Sequence, residues 1–286
     1  MADKYSAVWV SHSSMGDFDK CPRMYFCKNI YKNPRTGKKI NIVSPHLTLG
    51  VAVHEVLEGL GQYPAESRLK QRDLEEWFNA VWKLGTGKRG GFTSEAQEAE
   101  FYERGLHMIR AVKGNPRFLT QKIIKLPRET MNPNFYLSEE KNIILNGLID
   151  WIEYLPETDS LHIVDFKTGK NVEREDSMQL PIYLLLCDRL QKRKVTKASY
   201  WYLEHDEIVE KKLPTVADAL AQVMPAAERV AEARSKKEFS CLKGELGCSH
   251  CRPFEAILAL HRNEQRDDLP EYVGIGNFGQ ELYLSP

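Results

Sequence analysis

One stretch near the middle of the chain, NGLIDWIEYLPETDSLHIVDFKTGK over residues 146–170, constrains the fold more than any other. Two runs of apolar residues alternate with a period of two around a Pro-Glu-Thr-Asp-Ser turn, the pattern of a β-hairpin with a buried face. Leu148, Asp150, Ile152 and Tyr154 share a face of the first strand, and Leu161, Ile163, Asp165 and Lys167 share one of the second. A loop over 156–159 pairs Leu155 with Ser160, and the same register sets Asp150 opposite Asp165. Directly opposed residues have Cβ atoms about 5 Å apart, and two unpaired negative charges there are costly in an apolar sheet. A divalent cation such as magnesium or manganese resolves that conflict and keeps positions open for water and a phosphate. Lys167 points to the same face, where it can hold an attacking water or offset charge on a phosphorane-like transition state. Taken alone, a D…DxK pattern recurs by chance, and an ordinary hairpin with solvent-facing charges is its commoner outcome.

The rest of the chain limits what such a hairpin can belong to. With 286 residues, 42% of them hydrophobic, there is ample material for a core. Forty Lys and Arg balance forty Asp and Glu, so a nucleic-acid surface must be local rather than global. No apolar run approaches the ~20 residues of a transmembrane helix, and MADKYSAVWV lacks a basic-then-apolar leader pattern. The expectation is a soluble cytoplasmic protein with no membrane partner. Six cysteines clustered towards the two ends point to metal binding rather than to a disulfide framework.

Taken in order, the chain opens with a helix running through MGDFDKCPRMYFCKNIYK, capped by Ser13 or Ser14. Between residues 20 and 39 lie seven basic residues, among them Arg23 and Lys28, and no acidic one. Interleaved with Tyr25, Phe26 and Tyr31, they read either as a phosphate-tracking surface with stacking partners or as a solvated helix face with buried aromatics. A helix over 47–60 carries the apolar stripe Val53, Val56, Leu57 and Leu60, with His54 beside it. HEVLE echoes the HExxH zinc-protease helix but has Glu58 where the second histidine is required. Helices over 67–84 and 93–112 follow, the second opened by the capping-box pattern Ser94 to Gln97. GTGKRGG at 85–91 lacks the spacing of a nucleotide-triphosphate loop.

Strands are expected over 118–126, 143–155 and 161–167, then a helix over 174–190 that Pro181 can kink. Gln179 and Tyr183, four apart, share a face of that helix. Arg189, Lys192, Arg193, Lys194 and Lys197 form a second basic run. A strand over 198–203 and a helix over 216–237 complete an α/β arrangement with a helical N-terminal part. Finally Cys241, Cys248 and Cys251 fall within SCLKGELGCSHCRPF, the spacing of a thiolate site that lacks one ligand. Cys21, Cys27 or His250 can supply it, and an N-terminal ligand would fasten the two ends of the chain together. Cys187, within LLLC, reads as a core residue.

The combination SxxxxxDKCPRMYF, GVAVHEVLE, GLID, IVDFKTGK and QLPIY, followed by the cysteine cluster, resembles the RecB-type nucleases of the PD-(D/E)XK superfamily. The layout is similar to the iron–sulfur branch that includes the AddB nuclease domain and the stand-alone CRISPR-associated RecB-type exonucleases. The resemblance implies a restriction-endonuclease-like mixed sheet flanked by helices, in one nuclease domain over 1–286. That domain divides into a helical part (1–115), a nuclease core (116–238) and a cysteine tail (239–286).

It also implies that His54, Asp150 and Asp165 ligate Mg2+ or Mn2+ with the main-chain carbonyl of Phe166, and that Lys167 is the catalytic lysine. Gln179 and Tyr183 would contact DNA near the scissile phosphate. Cys21, in a Cys-Pro pair, would join Cys241, Cys248 and Cys251 on a four-iron four-sulfur cluster, with zinc as the other candidate. Here the wide gap in the C-terminal trio comes first, the reverse of that branch's order. The expected activity is a metal-dependent deoxyribonuclease, an exonuclease on DNA ends or single strands, with helicase, recombination or CRISPR proteins as partners. The competing expectation is a non-catalytic DNA-binding or scaffold subunit of a repair or CRISPR-adaptation complex.

Overall fold

The computed structural model describes residues 3–68, 70, 73–127, 131–265, 267–276 and 279–285. A short strand β1 (Val8–Val10) leads into α1 (His12–Lys20), which opens on a reciprocal capping box between Ser11 and Ser14. The expected continuation through residue 32 fails at Cys21, whose backbone is extended at φ −167°. Pro22 explains the break, because it has no N–H for the helical ladder and pushes the preceding residue out of helical conformation. It starts a new helix instead, α2 (Pro22–Tyr25), followed by a π turn over Phe26–Ile30.

After β2 (Ile40–Ile42), α3 (Pro45–Leu60) is capped by Ser44 and buries Val53, Val56, Leu57 and Leu60 as its periodicity predicts. The helix expected over 67–84 is found as α4 (Ala65–Arg68) and α5 (Leu74–Trp82), and its residues 69, 71 and 72 lie outside the described residues. In α6 (Glu95–Lys113) the Ser94 hydroxyl accepts from Gln97 N as expected, but the Gln97 side chain turns to Thr93 and leaves the box half made. The strand expected over 118–126 begins instead as helix α7 (Pro116–Thr120), with Asn115 Oδ1 accepting from Phe118 N at 3.1 Å. Its remaining strand character is a bridge from Ile123 to Glu153.

The strand expected over 143–155 is two strands in two sheets: β4 (Ile143–Asn146), beside β3 (Asn134–Ser138), and β5 (Trp151–Leu155). The chain turns between them at Gly147, where an added Cβ would lie 2.9 Å from Leu186 Cδ1. β5 pairs antiparallel with β6 (Ser160–Lys167) in the expected register, Leu155 opposite Ser160. From β6 the chain crosses through α8 (Gln179–Leu190) to β7 (Val195–Tyr202), parallel to β6, and β8 (Glu207–Lys211) closes that edge. Pro181 sits in the first turn of α8, where N–H groups have no intrahelical partner, so it does not interrupt the helix. α9 (Val216–Lys236), α10 (Arg252–His261), β9 (Tyr272–Ile275) and β10 (Glu281–Tyr283) complete the chain.

The architecture is α/β with mixed sheets among flanking helices, as expected; among the described residues the sheets are three, ordered β1-β4-β3, β2-β10-β9 and β5-β6-β7-β8. β6 is the pivot, buried from Ser160 to Phe166. One face, with Leu161 and Ile163, packs with α8 and α9; the other, with Val164 and Phe166, packs with Trp151, Trp201, Phe118 and α3. Both faces of the strand that carries Asp165 are thereby withdrawn from water. No helix among the described residues is long and apolar enough to cross a membrane.

Candidate active site

Three elements converge at the open end of the β5–β6 hairpin. α3 brings His54 and Glu58, which are one helical turn apart. Asp150 stands just ahead of β5, and Asp165 and Lys167 lie near the end of β6. Pairing of Trp151 with Val164 brings Asp150 alongside Asp165, and Asp150 Oδ2 accepts from Phe166 N at 2.9 Å. Its Oδ1 lies 3.4 Å from His54 Nδ1. Ligand atoms of His54, Glu58 and Asp150 fall within 4.8 Å of one another.

Asp165 is only 2% exposed. Its Oδ1 accepts from Gln179 Nε2 at 2.7 Å and from the Tyr183 hydroxyl at 3.2 Å. Its Oδ2 takes no hydrogen bond, although Lys167 Nζ stands 3.0 Å away out of line. Lys167 Nζ is held as well by Glu173 Oε2 at 3.1 Å, donates to Gln179 Oε1, and lies 4.8 Å above the Tyr200 ring. Gln179 and Tyr183, expected to face a nucleic acid, thus have their polar ends engaged with Asp165, Lys167 and each other.

The ionisation equilibria carry the strain of packing these groups together. Burial, and after it the charge of Asp150, pushes Asp165 up to about 7 against the pull of Lys167. Burial works against a charged His54, but the charge and hydrogen bond of Asp150, with Asp165 and Glu58 behind them, carry it to about 9. Lys167 is likewise raised, the pull of Asp165 and Glu173 exceeding the cost of burial. His54, Glu58 and Asp150 offer nitrogen and oxygen ligands close enough together to suit one divalent cation, whereas Asp165, expected among the ligands, is outside that group, its Oδ2 3.0 Å from Lys167.

Three neighbours of this cluster escaped the sequence reading. Glu58 was legible as the i+4 partner of His54, but it served there only to reject a zinc-protease helix. Glu173 lies on the segment between β6 and α8, and no local pattern marks it. His12 opens α1 within electrostatic reach of Glu173 and Lys167; burial first of all lowers its pKa.

In a second cluster the thiols of Cys21, Cys241, Cys248 and Cys251 fall within 4.8 Å of one another. Cys27 and His250 are outside that group. Cys21 joins it because the Pro22 break makes it the cap of α2, with its sulfur accepting from Met24 N at 3.5 Å. Cys27, one π turn further, is buried in the core, and burial pushes its thiol up to about 12. Burial opposes ionisation of Cys248, but the N–H groups of Cys251 and His250 and the thiols around it bring it down to about 7. Four sulfurs in this arrangement suit zinc or an iron–sulfur cluster. Cys187 is buried in α8.

Of the two basic residues expected to touch DNA, Arg23 donates to Glu255 Oε1 at 3.0 Å and to Glu245 O at 2.9 Å. Lys28 pairs with Asp17 at 3.1 Å. Phe26 packs on Tyr31 and Phe239, and Tyr31 hydrogen-bonds His261, so these aromatics are turned inward.

No relative was found among curated proteins. The family model described as the PD-(D/E)XK nuclease superfamily matches residues 9–256, which include both the hairpin carboxylates and the cysteine group. The chain belongs to the PD-(D/E)XK nuclease superfamily.

Proposed function

We propose that the protein is a Mg2+- or Mn2+-dependent deoxyribonuclease of the iron–sulfur branch, acting as an exonuclease on DNA ends or single strands. The observation that carries this reading is the meeting of half-buried His54, Glu58 and Asp150 with the buried Asp165 and its partner Lys167 near the end of β6. His54, Asp150 and Asp165 would hold the cation with the Phe166 carbonyl, and Glu58 is placed to join them. When bound, the cation supplies a Lewis acid for the phosphodiester and lowers the pKa of a water. Lys167 orients that water and offsets charge developing on the phosphate, which requires it to stay protonated in a buried place. Asp165, Glu173 and Gln179 achieve that by surrounding its ammonium. Tyr183 and Gln179 hold the Asp165 carboxylate in one orientation.

The cysteine group would hold a four-iron four-sulfur cluster that ties the N-terminal segment to the tail. Zinc is the second reading, and one observation favours it: mutual sulfur distances within 4.8 Å approach the ~3.8 Å edge of a tetrahedron with ~2.3 Å Zn–S bonds. Visible absorption of freshly purified protein separates the two, since an iron–sulfur protein is brown and a zinc protein colourless. The nuclease reading is tested by digesting end-labelled single- and double-stranded DNA with each cation, using wild type and Lys167→Ala. A loss of at least ~100-fold in rate is expected for the variant. Digestion at the wild-type rate would refute the assigned centre.

A further inference from the structure

A second concave surface of the molecule concentrates positive charge. The π turn over Phe26–Ile30, the start of β2 and the residues before β10 enclose a cleft of about 590 Å³. Lys28, Lys32, Lys38, Lys39, Asn41 and Gln280 are among its lining residues, none of which is acidic. Lys28 is matched by Asp17. Among the described residues, Lys32, Lys38 and Lys39 form no ion pair. In a chain whose forty cations meet forty anions, three uncompensated lysines around one concavity are a local concentration of charge rather than a general surplus. Their crowding is felt at Lys39, whose pKa is lowered first by burial and then by Lys32 and Arg234. An anion in the cleft relieves that repulsion.

We infer that this lysine-lined cleft is a track for the phosphate backbone of DNA, distinct from the catalytic junction. The inference rests on the nuclease reading for its choice of polyanion. Of the two sequence readings of this segment, the charge is displayed but the aromatics are not: Phe26 and Tyr31 pack inward, so no stacking platform lines the cleft. Recognition therefore runs through phosphates and is indifferent to base sequence. Two cleft residues, Lys28 and Asn29, donate to Asp17 within α1, and His12 at the start of that helix is within electrostatic reach of Lys167.

The test is fluorescence anisotropy of a labelled oligodeoxythymidylate of about 30 nucleotides, without added divalent cation, over a salt series. At about 0.7 per phosphate contact, Lys32→Ala, Lys38→Ala and Lys39→Ala together are expected to flatten the slope of log Kd against log salt by about 2. Binding is expected to weaken at least ~10-fold at low salt, with an unchanged melting temperature. The comparison variant removes the same charge from the exposed run Lys192, Lys194 and Lys197 and is expected to shift Kd by less than ~3-fold. The inference is overturned if wild type does not bind the strand. It is also overturned if the first variant binds with wild-type Kd and slope, or if both variants weaken binding equally. Binding through the cleft with no cleavage under any cation would refute the nuclease reading and leave the track standing.

Discussion

Replacing Asp165 with Asn is expected to stabilise the metal-free protein while abolishing its response to Mn2+. The carboxylate is 2% exposed, and burial together with Asp150 pushes its pKa from 3.8 to about 7. At about 1.4 kcal/mol per pH unit, that difference is worth on the order of 4 kcal/mol against the folded state once the group is ionised. Asn removes this penalty but also takes a counter-charge from Lys167, which keeps Glu173 at 3.1 Å. About half the gain, ~2 kcal/mol, should survive, which for a chain of this size raises the melting temperature by about 4–8 °C. A carboxylate with a raised folded-state pKa binds more protons folded than unfolded between the two values, so stability falls as pH climbs from about 4 to about 7. The advantage of Asp165→Asn is therefore full near pH 8 and absent near pH 4. Thermal melts at both pH values, in buffer without added divalent cation and then with Mn2+, check each part. Wild type should gain stability from Mn2+ and the variant should not. A variant that melts below wild type at pH 8 without metal would refute the view of Asp165 as a buried, charge-opposed carboxylate.

Glu58→Gln should weaken Mn2+ binding by about 10- to 100-fold in calorimetric titration, and unchanged affinity would remove Glu58 from the ligand set. Cys21→Ser is expected to lose the bound metal and its absorption or zinc content, whereas Cys27→Ser should keep both, as metal analysis of the two purified proteins will tell. In α6, a Cβ at Gly105 would lie 2.3 Å from Phe78 Cζ and 3.1 Å from Leu49 Cδ1. Gly105→Ala should therefore cost about 1–3 kcal/mol by overpacking behind the helix that carries His54, read as a lowered denaturation midpoint.

Much of this molecule follows from local pattern. The hairpin register, with Leu155 opposite Ser160, came from a period of two and a four-residue loop, both properties of a few neighbouring residues. The buried stripe of α3 came from helical periodicity in the same way. Local reading failed where a proline or glycine broke an apparently continuous pattern. The helix through residue 32 stops at Cys21–Pro22, and the run over 143–155 divides at Gly147 into strands of two sheets.

The sequence alone determined that Asp150, Asp165 and Lys167 would cluster and that three C-terminal cysteines lacked a partner, because adjacent strands and short spacings bring those groups together. Tertiary structure alone decided that Glu58 stands beside Asp150 and that Glu173 holds Lys167. It also decided that Arg23 and Lys28 are neutralised by Glu255 and Asp17 while Lys32, Lys38 and Lys39 are left to a cleft. The physical reason is range: periodicity encodes which way a side chain points from its own element, but the charge it meets there can come from a segment 232 residues away, as Glu255 does for Arg23.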